Sequence, residues 1–357
     1  MDLIVADDAD LVQLVDESGS AVSRSDLDPT TAIGRLPELY ESMVVTREVD
    51  EELVNLQRQG QLALFPSCRG QEAAQVGCAA ALRETDWLFP QYRELGVFLQ
   101  RGIDPVGVGL MWRGARHGEA GFVERAVAPM SIPIGTHALH AVGAAMASRW
   151  LGETGVTVAF VGDGAMSEGD VHEAMNLAAV RQAPCLFFVQ NNQWAISTPM
   201  TEQTRAASLA QKADGYGMPG CKVDGNDVLA CLLVVEQAAA WARAGNGPTL
   251  IEAVTYRMGA HTTADDPSRY RDEAEVEAWR ARDPISRCRA HLEFLGIFDD
   301  SLEERARTRG LALRTRLRES IFDAADPSPL TLFDHVYVQP TADLIEQRAM
   351  LVRELDR

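Results

Sequence analysis

The sequence predicts an α/β fold in which a parallel sheet carries helices on both faces. Three short apolar runs carry that prediction: VTVAFV at 156–161, CLFFVQ at 185–190 and TLIEAVTY at 249–256. Each has the length and the β-branched or aromatic content of a buried strand. Helical stretches at 169–181 and 228–244 separate them, and strand–helix–strand units of this kind build parallel sheets. Ligands in such sheets bind outside the carboxyl ends of the strands.

The flanking elements follow in order. Residues 1–28 hold eight acids and one Arg around the apolar stretches LIV and LVQLV. With a turn signal at Asp16, Glu17, Ser18 and Gly19 they read as an arm folded into a short hairpin, and 1–36 is set apart as that N-terminal arm. Leu39, Met43, Leu53 and Leu56 fall on a helical period, giving a helix over 37–59 that Gly60 stops. QEAAQVGCAAAL at 71–82 is rich in small residues and suits a helix packed closely on a neighbour. The Ala- and Gly-rich stretch 136–150 is a further helix. A polar loop spans 262–274, and charged helix occupies the remainder. The α/β domain is therefore read as 37–290, with 291–357 as its C-terminal helical extension.

A chain of 357 residues can bury a sizeable core without disulfides or a structural metal. Its 33 Lys and Arg stand against 52 Asp and Glu, a net charge of −19. That balance argues against nucleic acid and anionic membrane as partners, because phosphate affinity comes from clustered cations. The six cysteines, Cys68, Cys78, Cys185, Cys221, Cys231 and Cys288, are scattered without a CxxC pair. They read as small buried hydrophobes of a reducing compartment. MDLIVADDAD carries no basic n-region, and no run of about 18 uncharged apolar residues occurs, so a cytoplasmic protein is expected.

The chemistry concentrates at two strand ends. VTVAFV runs into Gly162, Asp163 and Gly164, and CLFFVQ runs into Asn191 and Asn192. The 26 residues between Gly164 and Asn191 suffice for one crossover helix, which would put both loops on one edge of the sheet. Asp163 then offers a carboxylate oxygen and Asn192 an amide oxygen, ligands that suit Mg²⁺. The two glycines let backbone approach a diphosphate, and the next helix can aim its N-terminal N–H groups at the anion.

GDG followed about thirty residues later by NN is the signature of thiamine-diphosphate enzymes. VGDGAMSEGDVHEAMNLAAV, VQNNQWAISTP, KVDGNDV and YRMGAHTTADDPSRYR closely resemble the alpha subunit of the E1 component of 2-oxo acid dehydrogenase complexes. CRGQEAAQVG, FPQYRELGV, VQLVDESG and DPISRCRAHL extend the resemblance almost end to end. It implies a thiamine-diphosphate-binding fold with thiamine diphosphate and Mg²⁺ as cofactors. Asp163 and Asn192 would hold the metal through their side chains and Trp194, in place of the commoner Tyr, through its backbone carbonyl. Gly164 and Ala165 would line the diphosphate, with Tyr92 and Arg93 facing it from the other side. Ile132 and Ile134 would flank the aminopyrimidine ring. His261 matches the active-site histidine of the mobile loop, and His117 a second histidine at the substrate end.

The resemblance also implies partners. An E1 beta subunit would supply the glutamate that activates the cofactor, in an alpha2beta2 heterotetramer, and a lipoyl-bearing E2 component would receive the acyl group. QYRELGV, YGMPG and AHTTADDPSRYR read closer to branched-chain types, favouring 3-methyl-2-oxobutanoate, with pyruvate second and acetoin third. Some features depart from the commoner pattern: the 113–129 segment is short, Gln193 replaces a glycine, and Thr262 occupies the place of a regulatory phosphoserine. His137, His140 and His172 read as structural or interfacial, and His291 and His335 as surface residues. Two other classes are weighed. A nucleotide-binding enzyme would need a GxGxxG or Walker loop after an early strand, and neither is there. A silent scaffold subunit would have lost Asp163, Asn192 or His261, and all three are present.

Overall fold

The computed structural model describes residues 11–115, 121–334 and 336–356. Helix α1 (Leu36–Arg58) is followed by α2 (Glu72–Ala80), strand β1 (Trp87–Phe89), α3 (Leu95–Gln100), α4 (Pro105–Arg113) and α5 (Thr136–Trp150). The core then runs β2 (Thr157–Gly162), α6 (Gly169–Arg181), β3 (Cys185–Asn191), the small strands β4 (Trp194–Ala195) and β5 (Thr198–Pro199), α7 (Met200–Gln203), β6 (Gly220–Asp224), α8 (Val228–Trp241) and β7 (Thr249–Val254). Helices α9 (Glu273–Arg280), α10 (Pro284–Phe294), α11 (Asp300–Asp323) and α12 (Ala342–Leu355) complete the chain.

The main sheet has the order β1-β2-β3-β7-β6, all parallel. Its strands alternate between two cores. Val158, Phe160, Leu186 and Phe188 face the helices α1, α2 and α8, while Ala159, Val161, Phe187 and Val189 face α5 and α6. That alternation is the period of two expected of a sheet covered on both sides. The segment Val228–Asn246 is long and apolar enough by composition to cross a membrane. Here α8 lies against α2 as a core helix, with nearly every residue of its first two turns buried.

The three strands read from the sequence are β2, β3 and β7. The short edge strands β1 and β6 are additional; β6 (GCKVD) alternates polar and apolar residues at the sheet's end. The N-terminal arm covers that edge: Val12 N donates to Lys222 O at 2.9 Å, and Asp224 N donates to Val12 O at 2.9 Å. A bridge between Val15 and Ala21 makes the expected hairpin. Helix α1 ends at Arg58 and Gly60 follows with φ 74°, a left-handed stop that favours glycine. The boundary read at 290/291 falls inside α10, and α11 packs along α1.

All six cysteines are buried, and none forms a disulfide. His291 departs from its surface reading: it is 3 % exposed, and its Nδ1 lies 2.8 Å from the Gly19 carbonyl, where it fastens the arm's turn to α10. The sequence signal for that burial was only a helical position four residues after Arg287, which ties the same arm. His137 is buried with Nε2 on the Phe160 carbonyl, whereas His172 meets the Tyr216 hydroxyl on a more open face and His140 is exposed. His335 lies outside the described residues.

Candidate active site

The β2–β3 register sets Gly162 opposite Gln190, so Asp163 and Asn192 leave the sheet on one edge. Beyond that edge lies a cavity of about 400 Å³. Tyr92, Arg93, Ile132, Ile134, Asp163, Gly164, Ala165, Asn192, Trp194 and His261 all line it. One expected active-site residue, His117, lies outside the described residues. Ile132 and Ile134 are 53 % and 38 % exposed, an apolar rim at the mouth that the chain itself leaves uncovered.

The loop after β2 is shaped by steric need. A Cβ on Gly164 would stand 2.7 Å from the Ala195 Cβ in β4, closer than real carbon contacts allow. At Gly162 the same atom would meet only the Gln91 side chain at 3.8 Å, an ordinary contact. Between GDG and α6, which begins at Gly169 as the sequence reading has it, the chain makes a 3-10 turn, Gly164–Ser167. After Asn192 the chain turns through Gln193 at φ 74°, where the resemblance led us to expect glycine. Gln193 Nε2 offsets that strain by donating to the Asn191 carbonyl at 3.2 Å.

Asp163 is 2 % exposed, and burial raises its pKa against the lowering effect of the Gln203 amide, which donates to Oδ2 at 2.6 Å. Asn192 Oδ1 accepts from Trp194 N at 3.3 Å, and its Nδ2 donates to Gln71 Oε1 at 3.4 Å. Both contacts are long. The Trp194 carbonyl accepts from Arg257 Nη1 at 3.2 Å, so it already has a partner. Among the described residues no three His, Cys, Asp or Glu converge on a metal-sized site; the expected set holds a single carboxylate.

His261 sits between two guanidiniums. Arg93 Nη2 and Arg257 Nη1 each lie 3.2 Å from its Nδ1. A guanidinium only donates, so Nδ1 accepts and the neutral ring carries its proton on Nε2. Burial first, and then Arg93 and Arg257, bring its pKa down to about 3. The loop is tied further by His261 N donating to Asp265 Oδ2 at 2.9 Å, and Asp265 also accepts from the Tyr270 hydroxyl. Arg93 is anchored in turn, with Nη1 donating to Ser67 O at 2.6 Å. Ser67 Oγ donates to the fully buried Asp50 at 2.5 Å.

Sequence reasoning missed several residues of this site. Arg257 is fully buried beside His261, and a charged residue directly after an apolar strand was the available signal. Gln71 lines the cavity with its Nε2 buried and unpartnered, and Gln203 Oε1 is likewise orphaned. Glu94 is fully buried under the cavity with its pKa raised by burial; it accepts from Gln190 Nε2 at 2.7 Å. Single amides in helices and loops give no pattern by which they could have been found. The set fits a diphosphate and a hard cation: a glycine cradle that one methyl would fill, hard oxygen donors, and a free buried N–H donor.

Residues 40–323 match the family described as Dehydrogenase E1 component. The chain belongs to that family. It is 58% identical over 355 residues, 99% of this chain and 97% of the relative, to a 3-methyl-2-oxobutanoate dehydrogenase subunit alpha of Mycobacterium tuberculosis. A mitochondrial 2-oxoisovalerate dehydrogenase subunit alpha of Dictyostelium discoideum is 38% identical over 96% of this chain and 80% of its own length. A pyruvate dehydrogenase E1 component subunit alpha of Staphylococcus aureus is 39% identical over 95% and 91%. Membership of the E1 family makes the chain an oxidoreductase subunit of the 2-oxo acid dehydrogenase type. It also implies thiamine diphosphate as cofactor and a beta subunit as partner.

Proposed function

We propose that this chain is the E1 alpha subunit of a complex that oxidatively decarboxylates branched-chain 2-oxo acids, 3-methyl-2-oxobutanoate and its homologues, and passes the acyl group to the lipoyl disulfide of an E2 component. The observation that carries the substrate is the 58% identity, over nearly the whole of both chains, to a relative named for it. A second reading, pyruvate, draws on the 39% identity to the Staphylococcus relative. The working assembly is an alpha2beta2 heterotetramer with Mg²⁺. The reading is of a cytoplasmic assembly, in a reducing compartment that suits six buried cysteines outside disulfides.

Thiamine diphosphate, when bound, supplies the carbanion chemistry that releases CO₂. The chain's own residues bind, orient and exclude water. Asp163 and Asn192 would hold Mg²⁺ through their side chains, and Trp194 through its carbonyl. Gly164 and Ala165 admit the diphosphate, and Arg93 and the Gln71 amide donate to it, Arg93 with charge. Ile132 and Ile134 would flank the aminopyrimidine ring. His261, held at Nδ1, keeps Nε2–H as its free ring group. In the cofactor-free chain the ring is neutral at neutral pH, so Nε2–H is placed as a hydrogen-bond donor to a substrate or acyl oxygen. His117 is the second histidine of this reading.

Thermal denaturation of the assembly with the beta subunit tests the site. A ligand at 100 times its Kd that binds only the native state adds about 2.7 kcal/mol. Thiamine diphosphate with Mg²⁺ should raise the midpoint of the wild type and leave an Asp163→Ala assembly unmoved. An unmoved wild type overturns the reading.

A further inference from the structure

The buried Asp163 carboxylate depends on a residue that no part of the GDG–NN pattern contains. Gln203 closes α7, the single turn that follows the β4–β5 hairpin. Its Nε2 donates to Asp163 Oδ2 at 2.6 Å and to the Thr198 carbonyl at 3.1 Å, so the amide is oriented from two sides. That orientation commits Oε1, which is buried and has no hydrogen-bond partner among the described residues. Buried polar atoms almost always have a partner. An acceptor left open beside a buried carboxylate suits a water molecule bound to a cation, and Mg²⁺ keeps several such waters.

We propose that Gln203 is a positioning residue of the metal site. Its N–H group fixes the rotation of the Asp163 carboxylate, and its carbonyl oxygen accepts from a water in the cation's hydration shell. The inference rests on the reading of Asp163 as a metal ligand. It adds that the β4–β5–α7 segment senses the metal, because Gln203 also holds β5 through Thr198. Groups that orient a ligand in this way are each worth about 10–100-fold in metal affinity.

The test uses the assembly with the beta subunit, with Mg²⁺ titrated at fixed thiamine diphosphate. The readouts are the thermal midpoint and the tryptophan fluorescence, and neither requires turnover. Gln203→Ala, and the similar-sized Gln203→Met in case the smaller side chain disturbs folding, should raise the Mg²⁺ half-saturation about 10–100-fold. Their midpoints without metal and cofactor, measured alongside, separate any loss of fold stability from the loss of metal affinity. A lowered ligand-free midpoint with unchanged Mg²⁺ half-saturation would assign Gln203 a purely structural role and overturn the proposal. A wild type that needs no Mg²⁺ would overturn the parent reading together with it.

Discussion

Gly164→Ala is the sharpest perturbation the site offers, because it adds one methyl group and no polarity. The new Cβ would lie 2.7 Å from the Ala195 Cβ. Carbon contacts settle near 3.5–4.0 Å, so the 164–167 turn and the β4–β5 hairpin must separate by roughly 1 Å. The backbone conformation is not the obstacle, since Gly164 has no left-handed φ. Small-to-large changes in packed places cost about 1–3 kcal/mol. The chain can relieve that strain by moving Trp194 and Asn192 away from Asp163, at the expense of the cofactor. At 1.4 kcal/mol per factor of ten, thiamine diphosphate half-saturation should rise about 5- to 150-fold. The control is Gly169→Ala at the start of α6, where a Cβ meets nothing within 4 Å. Titration of the assembly with cofactor, followed by fluorescence, gives both constants, and urea denaturation confirms that the variants fold. If Gly164→Ala binds within twofold of the wild type, or no worse than Gly169→Ala, the steric account of the glycine is wrong.

Other consequences are as direct. In the cofactor-free chain, His261 has a folded pKa of about 3, below the usual histidine value. The unfolded chain therefore takes up this proton first as pH falls; the group's contribution to stability is complete above about 6.5 and declines toward pH 3. Arg93→Gln should raise that pKa in an NMR titration, and an unchanged value would remove Arg93 from the cause. Asp86 is fully buried and holds Arg243, Val156 N at 3.0 Å and Arg83 N at 2.7 Å. Asp86→Ala should cost about 3–5 kcal/mol in urea denaturation, and a loss under 1 kcal/mol would show the pair to be dispensable. Trp112 lines the cavity and packs edge-on against Phe65, whose backbone pairs with Thr263 beside His261. Trp112→Leu should shift kcat/KM toward 2-oxo acids longer by one methylene, by about tenfold, and an unaltered preference would place Trp112 away from the acyl chain.

What the sequence made legible follows physical strength of signal. Apolar runs such as CLFFVQ announce a strand because every residue is buried on one face or the other. β6 could not be read this way: Lys222 and Asp224 keep half its residues polar at a sheet edge that the arm covers. Asp163 and Asn192 were legible because strand ends with short polar residues repeat at a crossover's spacing. Gln71, Gln203 and Arg257 were not, because their roles arise only when distant segments meet. Arg257 shows the limit most clearly. It is four residues from His261 in sequence, yet its partners Trp194 and Ile196 come from a hairpin some sixty residues earlier.

The central claim is that this alpha chain, joined to its beta subunit, turns over a branched-chain 2-oxo acid at the strand-end cavity. Its most direct measurement is kcat/KM of the co-expressed assembly, with thiamine diphosphate, Mg²⁺ and an artificial electron acceptor, on 3-methyl-2-oxobutanoate and on pyruvate. The account predicts a ratio of about tenfold or more in favour of 3-methyl-2-oxobutanoate, the discrimination that added methyl groups in an apolar pocket provide. A ratio at or below one, or no decarboxylation of either acid by the folded assembly, would contradict it.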